Sequence, residues 1–177
     1  MISHRTIKLP LAAIIVLAAV AGCSSEKPER DYAVPDDLCG TPVSAKELTP
    51  FLPAGKQIKV SEEDHAGTKI CNVVVDGTLV LTATQAWVAQ GKTTAYFLAG
   101  QTLEEIKHSA DSGRFRFSGN ESFGKTRNCT DRRYKQELYV ALQAQGSEHS
   151  DADAMKRLIT SYTERVEESA ACTAGSQ

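Results

Sequence analysis

Histidine is scarce in this 177-residue chain: after His4 come only His65, His108 and His149. General acid–base and metal chemistry therefore have few imidazoles to use. Asp64-His65 lies in an acidic, turn-like segment, and His149 precedes the last apolar-periodic stretch. Glu104 and His108 are four apart, the spacing of an ordinary surface pair on a helix. No G-x-S-x-G turn is present, so the usual signature of a serine hydrolase is missing. No glycine-rich phosphate loop occurs, and Asp151-x-Asp153 lacks the glycine and distal glutamate of a calcium loop. No two cysteines form a C-x-x-C pair, which argues against a zinc ribbon. On these grounds no catalytic residue, no cofactor and no metal ligand is assigned. No internal repeat or low-complexity run is visible either.

Acidic residues are absent from the chain until Glu26, and that absence is informative. Arg5 and Lys8 precede an apolar run from Leu9 to Val20, interrupted by Pro10. This positive-then-apolar order is that of a secretory signal peptide. The run is shorter than the ~20 apolar residues a spanning helix needs. No Arg-Arg pair is present in the basic region before Leu9, so general secretion is expected rather than the twin-arginine route. Val20-Ala21-Gly22-Cys23 has the pattern of a bacterial lipobox: an aliphatic residue, two small ones and a cysteine. The expectation is cleavage after Gly22 and a diacylglyceryl group on the Cys23 thiol. The protein would then be lipid-anchored in the cell membrane, on its extracytoplasmic face. Residues 24 to 37 are polar, contain Pro28 and Pro35, and read as a flexible tether. The folded part is expected over 38–177.

Removing residues 1–22 takes away Arg5 and Lys8 but no acid, leaving 155 residues with 18 basic and 22 acidic side chains, a net charge of −4. That length suits one domain, and the acidity argues against non-specific nucleic-acid binding. Hydrophobic content of 41% is enough for an ordinary core.

Setting Cys23 aside leaves Cys39, Cys71, Cys129 and Cys172. An even number of thiols in an exported chain points to two disulfides. Three pairings are possible; Cys39–Cys71 with Cys129–Cys172 is favoured because each bridge closes a moderate loop.

Local patterns predict an α+β fold: an antiparallel sheet flanked by helices, with a long C-terminal helix packed on the sheet. Ser44 to Glu47 fits a capping box. Lys69–Val75 and Thr78–Thr84 flank Asp76-Gly77, a type I′ hairpin signal. Thr94–Leu98 fits strand or helix, and Thr102–Ala110 reads as a helix. Arg114–Phe117, Phe123–Cys129 and Gln136–Gln143 read as strands. Met155, Leu158, Ile159, Tyr162 and Val166 recur at helical spacing behind Asp151 and Asp153.

Residues 107 to 135 hold eight basic residues against three acids, with aromatics interleaved. A sheet face carrying Arg114, Arg116, Arg132 and Arg133 could contact an anionic surface. The bland reading is a solvated polar face.

The lipobox, the proline-containing acidic linker and the spaced cysteines resemble small lipoproteins of actinobacteria. Asp37-Leu38-Cys39-Gly40, a short helix, then Lys69-Ile70-Cys71 is similar to a domain family of unknown function found there. That resemblance implies a Cys39–Cys71 bridge and no catalytic residues. The functional expectation is a non-enzymatic binding or scaffolding module at the cell envelope, with membrane contact through Cys23. An envelope hydrolase with an unrecognised site and a docking module using segment 107–135 are the alternatives.

Overall fold

The Asp76-Gly77 dipeptide closes the hairpin as expected, both residues having positive φ (48° and 84°). The computed structural model describes residues 29–145 and 150–174. The signal segment, Cys23, residues 24–28 and His149 lie outside the described residues. The hairpin joins β4 (Thr68–Val75) to β5 (Thr78–Ala89). β3 (Ile58–His65) pairs on the other side of β4. Two short strands, β1 (Asp37–Leu38) and β2 (Thr41–Pro42), form a separate small hairpin through Cys39 and Gly40. Both turn residues again have positive φ.

The chain then crosses to the far side and returns as β6 (His108–Ala110), β7 (Phe115–Phe117), β8 (Glu121–Asp131) and β9 (Gln136–Ala144). β9 pairs with β5, giving a seven-stranded antiparallel sheet in the order β3-β4-β5-β9-β8-β7-β6. Two meanders are thus fused along one central pairing.

Residues directly opposite each other share a sheet face. On one face Leu81, Ala83, Leu138 and Leu142 join Phe115 and Phe117 in the main core. The long helix α3 (Ala152–Glu167) covers it, burying Met155, Leu158, Ile159, Tyr162 and Val166. Asp151 caps α3 by accepting from the N–H groups of Asp153 and Ala154. The short α1 (Ala45–Leu48) and the 3-10 turn Thr49–Phe51 close the same core with Leu48 and Phe51. Ser44 caps α1, its hydroxyl accepting from the Glu47 N–H. Helix and sheet approach closely at Gly124: a Cβ there would meet the Thr163 hydroxyl at 2.9 Å and the Phe115 ring at 3.1 Å.

The opposite face is covered over β5, β9 and β8 by α2 (Thr94–Leu98). Phe97 packs edge-on to Phe123 with ring centroids 6.0 Å apart, and against Tyr139 at 5.2 Å. The fold is therefore α+β, with an antiparallel sheet and α3 packed on it. Among the described residues no helix is long and apolar enough to cross a membrane.

Both expected disulfides are present, Cys39–Cys71 and Cys129–Cys172. The first ties the β1–β2 hairpin to β4. The second ties α4 (Ala170–Ala174) to β8 at an irregularity, where Lys125 and Thr130 pair with Tyr139 and Glu137. Five steps of β8 thus span two steps of β9, and the surplus bulges towards the end of α3. Asn128 takes positive φ there, and the Arg127 N–H donates to Glu167.

Two expectations are corrected. The tether does not extend to residue 37. Arg30 bridges to Gly55 and donates to the carbonyls of Thr49 and Leu52. The Tyr32 hydroxyl donates to the Pro53 carbonyl, and Tyr32 and Val34 pack on the core. Polar, proline-containing sequence hid this because the docking partners lie about twenty residues further on. Nor does Thr102–Ala110 form a helix. The buried Glu121 carboxylate accepts from the N–H groups of Leu103 and Glu104, fixing a non-helical turn before β6. A distant carboxylate thereby overrides local propensity.

Candidate functional site

An open cavity of about 370 Å³ lies between α2 and the 3-10 turn Asp111–Gly113 that precedes β7. Its position follows from local bonds. The Thr93 hydroxyl accepts from the Tyr96 N–H and starts α2. The buried Thr94 hydroxyl donates to the Arg114 carbonyl, pinning α2 beside β7. Strand alternation then does the rest. Phe115 and Phe117 face the main core, so Arg116 between them points to the α2 side. Lys125 lies opposite Tyr139, on that same side. Lys92, from the loop before α2, completes the cationic lining.

Four cations, Lys92, Arg114, Arg116 and Lys125, meet one carboxylate, Asp111, in the cavity wall. They are not equivalent. Arg114 is committed to the fold: it pairs with Glu167 and with Asp111, and its Nε donates to the Lys125 carbonyl at 2.8 Å. Lys125 pairs with Glu137 at 2.7 Å. Among the described residues, Lys92 and Arg116 have no carboxylate within ion-pair distance. The Lys92 ammonium lies 4.3 Å from the centroid of the exposed Tyr96 ring. Arg116 Nε is buried and has no hydrogen-bond partner among the described residues.

Burial opposes charge on Lys125, but hydrogen bonds to Glu137 and Tyr139 outweigh it and hold its ammonium above the ordinary 10.5. Burial likewise disfavours the Glu137 carboxylate. Donation from Lys125 and from the Gly91 N–H overrides it, so Glu137 stays below the ordinary 4.5. The lowered Glu137 therefore stabilises the fold above about pH 4.5, and this is lost as pH falls through its folded value. The raised Lys125 contributes below about pH 10.5, a contribution lost as pH rises through its folded value. Glu137→Gln is expected to destabilise by about 1 kcal/mol at pH 7 and to flatten the stability profile below pH 4.5. Urea unfolding at pH 7 and at pH 3.5 measures both; an unchanged slope would remove the pair from the account.

The structure divides the arginines named from sequence. Arg114 and Arg116 line this cavity. Arg132 and Arg133 are exposed in the turn between β8 and β9, outside that lining. Arg114, with 12% side-chain exposure, is held inward by Glu167 rather than offered to a surface. Lys92 carried no local signal; topology alone brings it beside residues 114–125. His65 is exposed and lies 3.8 Å from Glu63. His108 is exposed too, with its ring stacked 5.5 Å from that of Phe117. Neither hydrogen-bonds a serine or an aspartate among the described residues. Glu104, the expected partner of His108, instead accepts from the Ser118 hydroxyl. Among the described residues no group of three or more His, Cys, Asp or Glu side chains is placed to hold a metal ion.

No protein-family model matches the chain, and no curated protein or solved structure matches it either.

Proposed function

We propose that the protein is a lipid-anchored extracytoplasmic lipoprotein whose domain is a non-enzymatic binding module at the cell envelope. One observation carries the reading. The four cysteines of the domain pair among themselves, which leaves Cys23, at the lipobox position, as the thiol available for acylation. Disulfides of this kind persist in oxidising compartments outside the cytoplasm.

Chain length adds a constraint. Arg30 already belongs to the fold, so seven steps separate it from Cys23. Fully extended they reach about 25 Å, and as a random coil about 15 Å. The module would work close to the bilayer that holds it. Two acyl chains would supply stable anchoring at ~0.8 kcal/mol per buried methylene.

Replacing Cys23 with Ala tests the assignment. The variant is expected to lose lipid labelling and to accumulate as an uncleaved precursor. Continued acyl labelling of the variant would refute the assignment.

A further inference from the structure

We propose that the cavity between α2 and β7–β8 is a binding site for a phosphate group, recognised by Lys92 and Arg116. This deepens the binding-module reading and rests on it. The lining supplies what a phosphate dianion needs. Arg116 offers a planar donor set suited to phosphate oxygens, and Lys92 offers a point charge. Both are without a carboxylate partner among the described residues, so their two charges match a dianion. Arg114 and Lys125, by contrast, are neutralised by Glu167 and Glu137 and act as fixed walls. The cavity also presents the hydroxyl-bearing Thr93 and Ser112.

Position favours one source of phosphate. The chain leaves for Cys23 next to Gly55, at the β3 side of the sheet. β8 lies four strand spacings away, about 19 Å at the usual separation. The cavity is therefore across the sheet from the anchor. That placement suits a phosphate ester in solution or on an envelope polymer, rather than a headgroup of the supporting bilayer.

The test uses the full mature protein in a maltoside detergent, which has no phosphate headgroup. Thermal unfolding and equilibrium binding are followed with inorganic phosphate and with glycerol phosphate, at constant ionic strength set with chloride. Both ligands are expected to raise the midpoint in a saturable way. Arg116→Gln and Lys92→Gln should each weaken binding at least tenfold, while Arg132→Gln with Arg133→Gln should leave it unchanged. Unfolding midpoints without phosphate should match across these variants; Lys92→Gln, which removes no hydrogen bond of the fold, keeps the test valid if Arg116→Gln is unstable. No phosphate effect on the wild type, or equal loss in the Arg132/Arg133 variant, would overturn the proposal. Arg116-dependent binding to phosphatidylglycerol vesicles with none to glycerol phosphate would overturn the choice of source. Lipid labelling at Cys23 is scored separately, so failure of the anchor reading and failure of the phosphate site are distinguishable.

Discussion

Replacing both Cys129 and Cys172 with Ala is expected to cost about 4 kcal/mol of folding stability, the larger of the two bridge effects. The bridge closes a sequence separation of 43, and the reference is the entropy it removes from the unfolded chain. At this chain length such a loss lowers the unfolding midpoint by roughly 10–15 °C. By loop entropy alone the Cys39–Cys71 bridge, with a separation of 32, contributes only about 0.3 kcal/mol less. What distinguishes the two is where the loosening falls. Without Cys129–Cys172 the bulge of β8 is held to the end of α3 by Glu167, which accepts from the Arg127 N–H and pairs with Arg114. Amide exchange should accelerate over residues 126–131 and in α4, and leave the β1–β2 hairpin protected. Removal of Cys39 and Cys71 should do the reverse. Urea unfolding with amide exchange reads both outcomes. A midpoint that does not move when either pair is removed would show that the bridges add nothing to stability.

Glu121→Ala is expected to destabilise by about 3 kcal/mol. The carboxylate is 2% exposed and accepts from the Thr102 hydroxyl, the N–H groups of Leu103 and Glu104, and the Gln143 amide. Removing it strands donors from two segments at once, Thr102–Glu104 and β9. Leu103 and Glu104 lie near water and can be partly resolvated, which keeps the figure below the full penalty of four buried donors. Glu121→Gln should cost less, because one oxygen still accepts. If Glu121→Ala unfolds at the wild-type urea midpoint, segment 102–107 is not held by this carboxylate.

The same residue explains where sequence reading ran out. Glu121 lies fourteen or more residues beyond the segment it organises, so the apolar spacing of Leu103 and Ile106 pointed to a helix. Arg30 and Tyr32 behaved alike: local composition said tether, while carbonyls of residues 49–53 made them part of the fold. Features whose cause is local were legible. Asp76-Gly77 specifies its own turn, and the stripe from Met155 to Val166 specifies a buried helix face. The disulfide pairing was legible for a different reason, since few pairings of four cysteines exist and short loops are favoured. The cavity was half visible. Arg114 and Arg116 stood out in a basic segment, but only the fold shows that Glu167 absorbs Arg114 and that Lys92 joins Arg116.

The most direct test of the account is the intact mass of the protein extracted from membranes, alkylated without prior reduction. The expected result is a chain beginning at Cys23, carrying a diacylglyceryl group there, with no alkylation at Cys39, Cys71, Cys129 or Cys172. A chain with an unmodified Cys23, or with alkylated thiols in the domain, would contradict it.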